Sequence, residues 1–230
     1  MKTIGLIGGM SWESSIEYYR IINESTKAKL GGLHSAKSIM YSVDFAEVEI
    51  LQHQGRWAEA AEMLIDAARS LENGGAEFIV LCTNTMHKVA DDIQAKVEIP
   101  LLHIADATAQ VVIDAGLKKI GLLGTRFTME EEFYKGRLSE KYSLSVLVPN
   151  AQAREIVHHV IYDELVVGKI EQRSKEQYID IIEQMVDQGV EGVILGCTEI
   201  GLLIHKPDSQ VPLFDTTRIH AKAAVEYALQ

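Results

Sequence analysis

The stretch Val80-Leu81-Cys82-Thr83-Asn84-Thr85 returns 114 residues later as Ile194-Leu195-Gly196-Cys197-Thr198-Glu199. In both copies an apolar run gives way to small polar residues. Thr83 in the first copy stands where Cys197 stands in the second.

Two further pairs repeat in the same order along the chain. Gly5-Leu6-Ile7-Gly8-Gly9 matches Gly121-Leu122-Leu123-Gly124-Thr125 at an offset of 116 residues. Ile99-Pro100-Leu101-Leu102 matches Val211-Pro212-Leu213-Phe214 at an offset of 112 residues. Offsets this similar over three segments indicate that a half-chain unit has been duplicated.

Short apolar runs alternate with longer amphipathic runs along both halves. The first half predicts strands at 3–7, 37–43 and 78–81 and helices at 14–30, 55–73 and 85–96. The second half predicts strands at 101–105, 119–123, 145–148, 192–195 and 213–214, and helices at 108–115, 130–141, 153–167, 174–188 and 218–229. This βαβ alternation predicts an α/β fold of two similar domains, each a mainly parallel sheet flanked by helices.

The repeat also predicts the domain boundaries. We expect an N-terminal domain of residues 1–100 that also takes the C-terminal helix at about 215–230, and a C-terminal domain of residues 101–214. Because ligands of open parallel sheets bind beyond the carboxyl ends of the strands, we expect the active site in the cleft between the two domains.

Composition limits the classes of partner. The chain has 230 residues, 47% of them hydrophobic, but no apolar run near the roughly 20 residues that cross a bilayer and no signal-peptide pattern, so we expect a cytoplasmic protein without a membrane partner. A net charge of −11 argues against nucleic acid, which binds clustered Lys and Arg. An anionic ligand therefore needs local positive potential, from backbone N–H groups, helix N-termini or Arg126. Since most closed oligomers are dimers, we expect a homodimer.

The loop Gly8-Gly9-Met10-Ser11 follows the first predicted strand and precedes a helix. It lacks the spacing of the nucleotide-binding motifs, so two interpretations stay open. The first, a tight turn that only glycine makes, is at least as well supported as the second, a place where a ligand approaches the backbone, and the two are compatible.

The two repeated strand ends carry polar residues and a cysteine that could bind a ligand or react with it. A strand end followed by a helix leaves N–H groups without partners, and these can hold a carboxylate. A cysteine at such a helix start is expected to be unusually acidic, which makes Cys197 a candidate thiolate. Taken alone, residues such as Asn84, Thr85 and Thr198 are more often ordinary helix caps than ligand contacts.

No metal site is predicted. The pair His158-His159 lies on a predicted helix where neighbours point in different directions, and no Cys/His spacing fits zinc. His87 and His103 lie near the motif ends and are candidates for supporting a site. Two cysteines are too few for a disulfide scaffold, and Cys82 is interpreted as a small buried hydrophobe.

Three of these motifs resemble the aspartate/glutamate racemase family: Gly8-Gly9-Met10-Ser11-Trp12-Glu13-Ser14, Thr83-Asn84-Thr85-Met86-His87 and Gly196-Cys197-Thr198-Glu199. The resemblance covers essentially the whole chain. It implies a cofactor-independent amino-acid racemase whose two domains enclose a small amino acid, with one cysteine from each half at opposite faces of the α-carbon.

The resemblance also implies roles for individual residues. Asn84, Thr85 and Thr198 would hold the α-carboxylate or the amine of the substrate. Met10 is a further substrate-binding candidate, and Gln52, Thr125 and Thr128 are candidates for the side-chain end.

The chain departs from the family pattern at one position. The family motif is Cys-Asn-Thr, whereas this chain has Thr83-Asn84-Thr85 with a cysteine one position earlier, at Cys82. Because neighbouring strand residues point to opposite faces, we expect Cys82 in the core and Thr83 at the catalytic position. A threonine hydroxyl is a poor base, but it can donate a proton directly or through a water.

The expected function is therefore a pyridoxal-independent racemase of aspartate or glutamate. Cys197 would abstract the α-proton, Thr83 would be its weak partner, and Glu199 a polar neighbour of Cys197, in an asymmetric site that favours the L enantiomer. Two alternatives stay open. One is a related cysteine-dependent isomerase or lyase of small dicarboxylates or hydantoins, and the other is a non-catalytic amino-acid-binding protein.

Overall fold

The computed structural model describes all 230 residues and divides them into two compact units. Unit 1 comprises Met1–Ile104 and His220–Gln230, and unit 2 comprises Ala105–Ile219. Each unit contains one four-stranded sheet in which all strand pairs are parallel. No helix combines the length and the apolar character that spanning a membrane requires.

The sheet of unit 1 has the strand order β2-β1-β3-β4. Its elements, in chain order, are β1 Ile4–Gly8, α1 Trp12–Leu30, β2 Ser38–Ser42, α2 Phe45–His53, α3 Trp57–Asn73, β3 Phe78–Leu81, a 3-10 helix Thr85–Val89, α4 Ala90–Gln94 and β4 Leu101–Leu102.

The sheet of unit 2 has the equivalent order β6-β5-β7-β8, so the duplication of the sequence is also a duplication of topology. Its elements are α5 Ile104–Asp114, β5 Lys119–Gly124, α6 Arg126–Glu130, α7 Glu132–Tyr142, β6 Ser145–Leu147, α8 Ala151–His159, a π-helical turn Val160–Glu164, a 3-10 helix Leu165–Val167, α9 Gln172–Asp187, β7 Gly192–Gly196, α10 Ile200–Leu203, a 3-10 helix Lys206–Asp208, β8 Leu213–Asp215 and α11 Thr216–Ala228. Helix α5 begins at the last residue of the first segment of unit 1, and the final turns of α11 belong to unit 1.

Alternate residues of each central strand in unit 1 pack on opposite faces of the sheet. In β3, Ile79 and Leu81 join the buried cluster that contains the apolar face of α3. Phe78, Val80 and the following Cys82 join the other cluster, which contains residues of α1 and α11. This period of two is the reason why Cys82 and Thr83 have different environments.

Two glycine positions explain why the strand ends of the repeat are glycine-rich. Gly9 has a φ of 94°, and a Cβ there would clash with the Val43 carbonyl oxygen. Gly124 ends β5 next to Gly196 at the end of β7, where a Cβ on Gly124 would lie 2.8 Å from the Gly196 oxygen. Side chains at these positions would push the strand ends apart.

Several predicted elements differ from the observed ones. The helix predicted at 85–96 is a 3-10 helix followed by the short α4, and the helix predicted at 153–167 changes to a π-helical turn at Val160. The strand predicted at 101–105 ends at Leu102, because α5 begins at Ile104. Helices α2 and α6 were not predicted. Both are short, with nine and five residues, so the helical period has little room to develop.

Candidate active site

In unit 1 the polar motif follows β3 directly. The Thr83 N–H donates to the Leu81 carbonyl at 2.9 Å, which forms a tight turn at the strand end. The Ser14 hydroxyl of α1 donates to the Cys82 carbonyl at 3.2 Å and holds this turn against α1. Cys82 is fully buried, and burial raises the pKa of its thiol far above the usual range. The prediction that Cys82 is a core residue is confirmed.

Asn84 and Thr85 continue this turn. Both are buried, and Thr85 begins the 3-10 helix that follows. The side chain of His87 in that helix accepts the Ile104 N–H at 3.1 Å through Nε2 and contacts the Thr83 carbonyl at 2.7 Å through Nδ1. The sequence marked His87 only as a candidate for supporting a site.

The glycine loop after β1 is closed by its own contacts. The Gly9 N–H donates to the Ser15 hydroxyl at 2.7 Å, and the Gly8 carbonyl accepts the Val43 N–H at 3.0 Å. Since both groups are used within the protein, these contacts favour the tight-turn interpretation. The Met10 side chain is 4% exposed and belongs to the buried apolar cluster around α3.

Gln52 is placed close to the Thr83 turn. It lies on α2, is buried, and its amide nitrogen contacts the Met86 sulfur at 3.0 Å. Met86 directly follows Thr85. Although Gln52 is far from the Thr83 turn in sequence, the fold of unit 1 brings the two together.

In unit 2 three consecutive side chains meet at the end of β7. The Cys197 thiol donates to Oε2 of Glu199 at 2.9 Å, and the Thr198 hydroxyl donates to the same oxygen at 2.6 Å. Glu199 is buried, whereas Cys197 and Thr198 are half-buried. One carboxylate oxygen therefore accepts both hydrogen bonds.

The expectation of an acidic Cys197 is wrong for this structure. Burial, and then the negative charge and hydrogen bond of Glu199, raise the pKa of Cys197 well above its ordinary value. Backbone N–H groups of Thr198 and Glu199 act in the opposite direction but do not outweigh these effects. The helix that should have favoured the thiolate is the four-residue α10, which begins only at Ile200.

A further residue near Cys197 had no signal in the sequence. Tyr178 of α9 is fully buried and donates its hydroxyl to the Val157 carbonyl at 3.1 Å. Burial raises the pKa of Tyr178 well above its usual range, with smaller contributions from Cys197 and Glu164. Val157 precedes the π-helical turn, an element often found at functional sites.

Thr125 and Thr128 meet at the end of β5. Thr125 is the N-cap of α6, where its hydroxyl oxygen accepts the Thr128 N–H at 3.3 Å, and the two hydroxyl oxygens lie 3.2 Å apart. Between them in sequence, Arg126 pairs with Glu155 at 2.7 Å, so its charge is partly balanced.

The site residues predicted from sequence thus fall into three groups. Thr83, Asn84 and Thr85 lie together with Gln52 in unit 1, Cys197, Thr198 and Glu199 form one hydrogen-bonded group in unit 2, and Thr125 and Thr128 form a second group there. Met10 is part of the apolar core next to the glycine loop.

The chain is similar in sequence to known proteins. A family model described as Asp/Glu/Hydantoin racemase matches residues 7–224. The broad specificity amino-acid racemase RacX of Bacillus subtilis (strain 168) is 28% identical over 174 residues, which cover 73% of this chain and 71% of that protein.

Solved structures extend the likeness to the full length. A crystal structure from Yersinia pestis, provisionally assigned as an Asp/Glu racemase, is 59% identical with a TM-score of 0.94 and covers 100% of both chains. An aspartate racemase homologue from Pyrococcus horikoshii OT3 is 38% identical with a TM-score of 0.87, again over 100% of both chains. The chain belongs to the Asp/Glu/Hydantoin racemase family.

Proposed function

We propose that this protein racemises aspartate or glutamate without pyridoxal phosphate, using Cys197 and Thr83 at opposite faces of the α-carbon. The observation that carries the proposal is the contact between the Cys197 thiol and the Glu199 carboxylate at 2.9 Å. A thiol beside a buried carboxylate has both the group that reacts with an α-proton and an acceptor for its own hydrogen.

The first step is the formation of the thiolate. The thiol hydrogen moves from Cys197 Sγ to Glu199 Oε2, which converts a thiol and a carboxylate into a thiolate and a carboxylic acid. Because the pKa of Cys197 is raised in the free protein, this step is unfavourable until the substrate binds. The α-ammonium group of the amino acid brings a positive charge that favours the thiolate.

The second step is the removal of the α-proton. The thiolate takes this proton and becomes a thiol again, while the electron pair of the C–H bond passes into the carboxyl group of the substrate. The carbanion is stabilised when donors already point at that carboxylate. Asn84, Thr85 and Thr198 carry suitable amide, hydroxyl and backbone donors, and we assign them to the α-carboxylate or amine.

The third step returns a proton to the opposite face. Thr83 gives its hydroxyl hydrogen to the carbanion, or passes on the hydrogen of a bound water, and regains a hydrogen from solvent. Glu199 releases to solvent the proton that it took from Cys197, which restores the free enzyme. Its hydroxyl is a far weaker acid and base than a thiol, so this face is the slow one. We assign Gln52, Thr125, Thr128 and Met10 to the remainder of the substrate, with the three polar residues at its side-chain end.

Because the two faces carry different residues, the two enantiomers can differ in hydrogen exchange, but thermodynamics prevents them from differing in the efficiency of racemisation. Free enantiomers have equal energies, so kcat/KM must be the same in both directions. What differs is hydrogen exchange: the enantiomer that presents its α-proton to Cys197, by likeness to the family the L form, loses and regains it on the same face more often than it inverts.

Hydrogen exchange at Cα measured in D₂O tests this function. Each enantiomer of aspartate and glutamate is incubated with the enzyme, and loss of the Cα–H signal is followed by proton NMR alongside chiral analysis. We expect exchange into the L form to precede inversion. A folded enzyme that exchanges neither enantiomer would contradict the proposal, and equal exchange of both would remove the asymmetry from it. We also expect a homodimer, which sedimentation velocity checks.

A further inference from the structure

Behind the Thr83 turn lies a group of buried imidazoles that the three steps above do not use. His87, His103 and His220 are 3%, 6% and 0% exposed, respectively. The His87 ring lies 4.6 Å from the His103 ring and 5.8 Å from the His220 ring, measured between centroids. All three belong to unit 1, although His220 comes from the far end of the chain.

The contacts of His87 determine which ring nitrogen carries hydrogen. The Ile104 N–H can only donate, so Nε2, 3.1 Å away, must be an acceptor without hydrogen. The Thr83 carbonyl can only accept, so Nδ1, 2.7 Å away, must carry the hydrogen. His87 is therefore a neutral imidazole in its Nδ1–H form.

The contacts of His220 require the opposite form. Its Nε2 lies 2.8 Å from the Leu102 carbonyl oxygen and must donate, which leaves Nδ1 to accept the Tyr18 hydroxyl hydrogen at 2.9 Å. Burial lowers the pKa of His220 to about 4 and keeps this ring neutral. The two imidazoles thus bond to nearby backbone groups, His220 to the last residue of β4 and His87 to the first residue of α5.

The His87 ring connects the start of α5 with the Thr83 turn. Ile104 is the first residue of α5, whose N–H has no partner within the helix, and the His87 ring supplies one. The other nitrogen of the same ring fixes the carbonyl of Thr83, four residues earlier in the chain. A rigid planar ring with both nitrogens occupied leaves the peptide after Thr83 little freedom to rotate.

We propose that His87 is a positioning residue for the Thr83 face of the reaction, holding the Thr83 carbonyl and thereby the orientation of the Thr83 side chain. This inference rests on the proposed function. Because both ring nitrogens are committed to backbone groups, His87 is not the source of the proton that Thr83 delivers. Its role is geometric, and it acts on one face of the substrate only.

This role predicts a specific pattern in the kinetics. Cys197 belongs to unit 2 and His87 to unit 1, where it holds the Thr83 carbonyl. If His87 acts only through Thr83, hydrogen exchange of the L enantiomer at saturating substrate depends little on it. Inversion needs Thr83 and depends on it strongly. The measured quantity is therefore the ratio of inversion to L-enantiomer exchange, which a general loss of folded protein does not change.

The experiment compares three variants with the wild type in D₂O. His87→Phe removes both hydrogen bonds and should lower the ratio of inversion to exchange by roughly tenfold to a hundredfold, the scale of a small misplacement of a reacting group. His87→Asn keeps an N–H donor for the Thr83 carbonyl and should recover most of the ratio. His220→Phe is the matched control, since it removes two hydrogen bonds from the same buried group without contact to Thr83, and it should leave the ratio unchanged.

Equal losses of exchange and inversion in His87→Phe would overturn the proposal, as would an equal fall of the ratio in His220→Phe. Should His87→Phe fail to fold, His87→Asn decides: a ratio well below that of the wild type would contradict the geometric role.

Two-bond ¹H–¹⁵N correlation spectra of the wild type test the structural part independently of activity. We expect Nδ1–H for His87 and Nε2–H for His220, and any other form of His87 overturns the proposal even if the wild type is a racemase. Absence of Cα exchange in a wild type with the expected ring forms would instead contradict the proposed function.

Discussion

Cys197 donates its thiol hydrogen to Glu199 across 2.9 Å, and the same carboxylate oxygen accepts the hydroxyl of Thr198, which lies between them in sequence. The chain bends back on itself over three residues after β7, so that a buried negative charge comes to lie beside the sulfur. This arrangement keeps the free thiol protonated and makes thiolate formation depend on what else enters the site.

The first prediction concerns this carboxylate. Glu199→Gln removes the negative charge while retaining an oxygen that accepts hydrogen bonds. The pKa of Cys197 should fall, because the charge of Glu199 helps to raise it. The pH midpoint of Cys197 alkylation by iodoacetamide, followed by mass spectrometry, should move to lower pH than in the wild type.

The same variant should be a poorer racemase. Because an amide oxygen accepts a hydrogen bond but does not take up the thiol proton as a carboxylate does, Cα exchange of the L enantiomer should fall by roughly 10²–10⁴, the typical contribution of a positioned acid or base. Glu155→Gln, on the exposed side of α8, is the matched control. Faster exchange in Glu199→Gln would show that the carboxylate only inhibits the thiol, and Glu199 would lose its assigned role.

The second prediction separates the two cysteines. Cys197→Ser should abolish both exchange and racemisation, because an alcohol is far less acidic than a thiol. Cys82→Ser places a hydroxyl in the fully buried cluster on the α1 side of the sheet, which should lower the free energy of unfolding by about 1–3 kcal/mol and leave kcat nearly unchanged. Kinetics and urea unfolding of both variants check this, and a folded Cys82→Ser enzyme as inactive as Cys197→Ser would contradict the assignment of the strand faces.

The fold could be predicted from the sequence because the repeat in the sequence corresponds to the equivalent strand orders of the two sheets. The repeated segments Gly5–Gly9 and Gly121–Thr125 contain most of the equivalent central strands β1 and β5. The alternation of apolar and amphipathic runs is the direct consequence of parallel strands joined by helices. The alternation of faces in β3 also follows from sequence, which is why the buried environment of Cys82 was predictable.

The chemistry at Cys197 could not be predicted in the same way. The raised pKa of Cys197 depends first on burial and then on the direction of the Glu199 side chain, and neither is encoded by spacing. The contacts of His87 with Ile104 and of Tyr178 with Val157 join residues 17 and 21 positions apart and carry no local pattern. Such interactions are fixed by tertiary packing, which a single sequence does not display.

The third prediction concerns cofactors. No motif in the sequence is of the kind that recruits pyridoxal phosphate or a metal ion. Racemase activity should therefore be unchanged after dialysis against EDTA, after treatment with hydroxylamine to remove pyridoxal phosphate, and after addition of either cofactor. Activity lost with EDTA and restored by zinc or magnesium would require a different mechanism.

The fourth prediction concerns stability in acid. The pKa of His220 falls from its usual 6.5 to about 4 in the folded protein, first because of burial. Between these values the unfolded chain binds a proton that the folded chain does not, so stability rises with pH in this window and is lost as the pH falls from 6.5 towards 4. The shift corresponds to about 3 kcal/mol for this one group.

The comparison that isolates this contribution uses His220→Gln, which retains hydrogen-bonding groups for Leu102 and Tyr18 but does not titrate. The difference in free energy of unfolding between wild type and variant, measured in urea at several pH values, should change across the window and be constant above pH 7. The neighbouring His87 is present in both proteins and cancels. A difference that does not vary with pH would contradict the neutral, buried state of His220.

The last prediction concerns Thr83, which holds in the first copy of the repeat the position that Cys197 holds in the second. Thr83→Cys would provide a thiol on the slow face, and racemisation should rise from both enantiomers by the same factor, since equal energies of the enantiomers fix the ratio of kcat/KM. The factor is on the order of the 10²–10⁴ attributed to a positioned acid or base. Thr83→Ser, which keeps a hydroxyl of similar acidity, should change little and serves as the control for packing. Circular dichroism traces starting from each pure enantiomer give both rates.

The D form should also begin to exchange its α-hydrogen as readily as the L form in Thr83→Cys, because each face then has a thiolate. A folded Thr83→Cys enzyme that is no faster than the wild type in either direction would show that Thr83 does not limit the reaction, and the assignment of one face to each residue would have to be replaced.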